Sequence, residues 1–113
     1  MQSFEIKSLL EEQTRTGHRW LEFLRMPALS MGVYHLKAGQ TDPQKPHTED
    51  EAYYVVSGRA RFQTGSATQF VNPGSLLYVE KHLEHRFFDV AEDLTVLVFF
   101  APAEGSAAHA PSQ

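Results

Sequence analysis

Cysteine is absent from the 113 residues, which excludes disulfides and thiolate metal ligands together. Basic clusters are missing as well. The formal net charge is −4, and Lys and Arg stand as isolated residues such as Arg59 and Arg61, so there is no basic stripe to neutralise nucleic-acid phosphates. Long apolar runs are also lacking. Leu94 to Ala101, interrupted by Thr95, is among the longest and falls far short of the roughly 20 residues a membrane-spanning helix needs. Met1 to Ser8 does not follow the basic-then-apolar order of a signal peptide. These absences set the expectation of a cytoplasmic chain with neither nucleic acid nor membrane as partner. No internal repeat or linker divides it.

Hydrophobic residues make up 42% of the chain and charged residues 21%, enough apolar material for one packed domain over residues 1–113. Eight Phe, four Tyr and one Trp are supplied, and aromatic and β-branched residues crowd the middle and end of the chain, which favours β structure. Near the start, Ile6, Leu9 and Leu10 fall at helical spacing before Gly17, predicting a short helix or lead-in. From Arg19 the period changes. Trp20 to Met26 and Leu29 to Leu36 read as strands separated by Pro27. Lys37 to Glu49 is a polar loop whose Gly39, Pro43 and Pro46 continue neither a helix nor a central strand. Further strands are expected at Ala52 to Val56, Arg59 to Thr64, Thr68 to Val71, Ser75 to Val79, His85 to Val90 and Leu94 to Phe100. Turns are expected at Ser57-Gly58, Gly65-Ser66, Asn72-Pro73-Gly74 and Ala91 to Asp93. About eight or nine short strands with such turn spacing describe an all-β sandwich or small barrel. The tail 103–113 has no large apolar residue and is expected to be mobile.

Six histidines are present. His18 and His109 lie in polar segments and read as exposed, and His35 sits mid-strand between Tyr34 and Leu36. His47 and Glu51 would share one face of an extended segment, with Glu49 between them, and His85 opens a later strand that a barrel could bring opposite. Two imidazoles and one carboxylate suit Fe(II), Mn, Ni or Zn while leaving coordination positions open. Spacing alone leaves this trio undecided between a ligand set and ordinary polar loop residues.

Two ordered motifs bear on that choice. Gly39, His47, Glu51 and Gly58 stand at the spacings of the first cupin motif. The segment Pro73 to His85, a Pro-Gly turn, an apolar strand, a corner and then histidine, resembles the second. The chain thus resembles small single-domain bacterial cupins over roughly Leu29 to Pro102. The resemblance implies a double-stranded β-helix, a jelly-roll-like antiparallel barrel with its core near 29–102. It also implies a divalent transition metal (Fe, Mn, Ni or Zn) on His47, Glu51 and His85, and a homodimer. The position that usually carries a fourth ligand, the first histidine of a His-X-His pair, is Lys45 here. An ammonium has no lone pair to offer a cation. Three arrangements follow: three protein ligands only, Lys45 turned outward with Gln44 or water completing the shell, or no metal at all. In the second motif Glu80 replaces proline, His82 replaces the corner glycine and Asp89 replaces asparagine, so His82 is expected to carry backbone strain.

Parity places Tyr53 with Glu51 and Phe87 with His85 as candidate pocket walls. Tyr53 and Lys45 are candidates for positioning a substrate anion. The functions expected are a metal-dependent oxygenase, isomerase or lyase acting on a small polar molecule. The alternatives are a non-catalytic module for a sugar or small acid, or a dimerisation element with a filled interior.

Overall fold

The computed structural model describes residues 1–107; His109 and the rest of the expected tail beyond Ala107 lie outside the described residues. Helix α1, Ile6–Thr16, forms where the apolar spacing predicted it, and Gly17 ends it at φ 74°. Its buried Gln13 donates through Nε2 to the carbonyls of Arg19 (3.0 Å) and Val33 (3.1 Å), which ties the helix to the sheet.

Six antiparallel strands follow: β1 Trp20–Met26, β2 Leu29–Leu36, β3 Asp50–Thr64, β4 Ala67–Val71, β5 Leu76–Val79 and β6 His85–Ala101. They run in the order β1-β2-β6-β3-β4, with β5 paired to β3. The expected eight or nine strands are six because two pairs of short strands are continuous. β3 passes through Ser57 and Gly58, and β6 through Ala91 to Asp93, without turning back. They pair with each other from Asp50↔Ala101 to Thr64↔His85, with register shifts between Val55 and Arg61. Such bulges bend a strand and increase its twist. Gly58 permits the bend: its φ is 93°, and a Cβ there would lie 2.2 Å from the Asp93 carbonyl oxygen. Along β3 the first half also pairs with β5 and the second half with β4, so the sheet curls round an inner face.

Tyr34, Leu36, Tyr53, Val55, Phe62, Phe87, Val96, Val98 and Phe100 fill that inner face. Trp20 joins them, edge-on to Tyr34 and Phe100 at 6.5 and 6.2 Å, so β1 contributes to the interior although it precedes the expected barrel core. The start of the expected mobile tail is also packed. Ala103 is buried, and the Glu104 N–H donates to Ser30 Oγ at 2.9 Å. The reason is polar: buried Glu49 accepts the N–H groups of Gly105 (2.7 Å) and Ala107 (3.0 Å) and the Thr48 hydroxyl.

Candidate metal centre

His47 lies in the loop before β3, Glu51 near the start of β3, and His85 at the first residue of β6. In the ladder Glu51 faces Phe100 and Val79, whereas His85 faces Thr64 at the other end of β3. The bend in both strands is what returns His85 to Glu51. As a result His85 Nε2 lies 2.8 Å, and His47 Nε2 3.8 Å, from Glu51 Oε1. One ligand atom from each residue falls within 4.8 Å of the others.

Each imidazole is held from outside the cluster. His85 Nδ1 lies 2.9 Å from the Leu83 carbonyl, which can only accept, so Nδ1 carries hydrogen and Nε2 faces inward. The His47 carbonyl accepts the His82 N–H at 2.7 Å, and its ring meets Phe100 edge-on at 4.8 Å. His82 adopts φ 66° as expected of a corner that prefers glycine, with its side chain exposed. Burial lowers the His47 pKa despite Glu51. Burial also opposes the charged form of His85, yet the Glu51 hydrogen bond and the Leu83 carbonyl outweigh it and raise the pKa.

Glu51 is almost fully enclosed, and its Oε2 has no hydrogen-bond partner among the described residues. A buried carboxylate oxygen left unpaired is costly, and a cation beside it would remove that cost. The donor chemistry and the orphaned oxygen therefore both fit a divalent ion.

Beside the trio is a cavity of about 140 Å³ lined by Trp20, Tyr34, Gln44, His47, Glu51, Tyr53, Val98, Phe100 and Glu104. Tyr53 stands in its wall as expected, and burial first, then the nearby Glu51 carboxylate, raise its pKa, so it remains a phenol. Phe87 does not reach the cavity; it packs against Tyr53 and Phe62 at 5.2 and 4.7 Å as core. Lys45 is exposed and outside the cavity, because alternation along the extended loop turns Gln44 in and Lys45 out. His35 contacts Thr95 Oγ1 at 3.3 Å, away from the trio, and His18 is exposed.

Sequence reasoning missed Glu104. Its Oε2 lies 3.7 Å from His47 Nδ1, and burial, then Glu22, Glu51 and Glu49, raise its pKa against the pull of Arg25. The signal available was Glu49, an acidic residue on the parity of two candidate ligands that serves the C-terminal segment instead. Burial would raise the Glu49 pKa, but its hydrogen bonds from Thr48, Gly105 and Ala107 outweigh this and lower it. Replacing Glu49 with Ala should therefore free the segment carrying Glu104. Hydrogen bonds to a charged group contribute about 1.5–3 kcal/mol each, so exchange of the Gly105 and Ala107 amides, followed by NMR, should speed up about tenfold or more. Unchanged exchange would show that Glu49 does not hold the segment.

A family model described as the cupin domain matches residues 32–101. The Streptomyces coelicolor protein called uncharacterized protein SCO3923 is 45% identical over 104 residues, covering 92% of this chain and 99% of that protein. Among solved structures, TT1209 from Thermus thermophilus is similar with a TM-score of 0.71 and 20% identity, over 90% of this chain and 98% of that one. An RmlC-like cupin with a double-stranded β-helix fold from Methanocaldococcus jannaschii is similar with a TM-score of 0.68 and 13% identity, over 74% of this chain and 79% of that one.

Proposed function

The chain belongs to the cupin family, and from that premise we propose that it holds one divalent transition metal ion (Fe, Mn, Ni or Zn) between His47, Glu51 and His85 and acts through it on a small molecule. The observation that carries this reading is Glu51: a buried carboxylate with one oxygen unpartnered among the described residues and two imidazole nitrogens converging on the other. Bound there, the ion would supply Lewis-acid polarisation for an isomerase or lyase, or a redox centre for an oxygenase.

The chain's own residues set what reaches that ion. Trp20, Tyr34, Val98 and Phe100 give the cavity apolar walls. Two carboxylates, Glu51 and Glu104, face it, and among the described residues neither Lys nor Arg lines it. A volume of about 140 Å³ is well under the about 300–1,000 Å³ of drug-sized ligand sites. It favours a compact molecule over a sugar, and its existence counts against a barrel filled for dimerisation alone.

Metal content of untagged protein tests the reading. Near one transition-metal ion per chain is expected. No metal after incubation with Fe(II), Mn(II), Ni(II) and Zn(II) in turn would overturn it, and a metal-free binding module would replace it.

The chain also fits a homodimer. Leu76 and Tyr78 on β5 are 75% and 69% exposed, beside half-exposed Tyr54 of β3, an apolar strip that a second copy would cover. Light scattering behind size-exclusion chromatography should give a dimer mass, and Leu76→Glu with Tyr78→Glu should give a monomer. A monomeric wild type would remove this assignment.

A further inference from the structure

Lys45 occupies the position where the cupin pattern places a fourth ligand, yet the structure puts a different side chain there. The Gln44 amide oxygen Oε1 lies 3.2 Å from His85 Nε2 and 3.5 Å from His47 Nε2. It also accepts the Tyr53 hydroxyl at 2.9 Å. At the other end of the same amide, Nε2 donates to Asp42 Oδ2 at 2.7 Å.

Asp42 fixes which end of the amide faces the cluster. It is 5% exposed and accepts three donors: the Tyr34 hydroxyl at 2.7 Å, the Phe87 N–H at 2.9 Å and Gln44 Nε2. An acceptor holding those bonds can receive the NH₂ group and not the carbonyl. Turning the amide over would set its oxygen against the Asp42 carboxylate, acceptor against acceptor. The oxygen is therefore held toward the histidines by a partner that is itself anchored to β2 and β6. A carbonyl oxygen has two lone pairs, and the Tyr53 hydroxyl uses one. The other is free to face a cation shared with His47 and His85.

We propose that Gln44 Oε1 is the fourth protein ligand of the metal, so that this chain binds its ion through two imidazoles, one carboxylate and one amide oxygen. This rests on the metal reading above. It replaces a nitrogen donor of the family pattern with an oxygen, displaced one residue along the loop, and makes the set harder. Asp42 and Tyr53 are then positioning residues: one orients the amide, the other steadies its oxygen.

The test loads wild type, Gln44→Leu and Lys45→Ala with Co(II). It reads the visible d–d absorption of each and the affinity by chelator competition. Gln44→Leu is expected to shift the Co(II) bands and weaken binding at least about tenfold, since even outer partners of metal ligands are worth about 10–100-fold. Lys45→Ala should match wild type. A Gln44→Leu protein with wild-type bands and affinity would overturn the fourth ligand while leaving the three-residue site intact. A change in Lys45→Ala equal to that in Gln44→Leu would assign the position to Lys45. No Co(II) bound to wild type would overturn the site and this ligand together.

Discussion

Replacing His85 with Ala should leave the protein without stoichiometric metal, its affinity falling by more than about a hundredfold, beyond the about 10–100-fold typical of losing an outer partner. His85 is the imidazole closest to Glu51, at 2.8 Å against 3.8 Å for His47, and the Leu83 carbonyl leaves its Nε2 no inward alternative. It is also buried, between Tyr53 and Phe62 with ring centroids 6.2 and 6.1 Å away. The Ala variant thus opens a cavity costing about 2–5 kcal/mol, and loss of metal could follow from loss of fold. His85→Phe separates the two effects: it keeps a ring in the space and removes the lone pair. Both variants should lose metal by elemental analysis, with the Phe variant melting at the higher temperature. A folded variant of either kind that retains near one ion per chain would sink the assignment of His85.

His47, Glu51 and His85 were legible because two motifs fixed their order and spacing, and the structure brings them together. The helix before Gly17 and the β1–β2 pair were legible for a simpler reason, since a change of apolar period is local. The bends in β3 and β6 were not. Gly58 reads as a turn because turns and bends use the same freedom of φ, and only long-range pairing with β6 decides between them. Glu104 was hidden because Ala103 to Ala107 carries no apolar pattern; it docks through backbone N–H groups onto Glu49, which sequence periodicity does not register. At Lys45 the motif left three arrangements open, because spacing does not register which side chain of an irregular loop faces inward; the loop turns Gln44 inward and leaves Lys45 exposed.

The bend itself supplies the other large effect. Gly58→Ala should lower stability by more than about 3 kcal/mol, at the high end for a single substitution, and lower Tm by at least about 10 °C. Two costs combine at this position. With φ at 93°, a residue bearing Cβ is held outside its ordinary regions, at about 1–3 kcal/mol. In addition the new Cβ would meet the Asp93 carbonyl oxygen at 2.2 Å and Leu94 Cα at 2.7 Å, both backbone atoms of β6 that no rotamer change can move. Gly65 isolates the first cost, because its φ is 56° and nothing lies within 4 Å of an added Cβ; Gly65→Ala should cost about 1–2 kcal/mol. Forcing β3 and β6 apart at Gly58 should also disturb the return of His85 toward Glu51, so Gly58→Ala should weaken metal binding at temperatures where it remains folded. Equal melting of the Gly58 and Gly65 variants, by calorimetry, would show that close approach of the two long strands is not what sets the bend. Equal metal affinity in the two would show that the bend does not set the site.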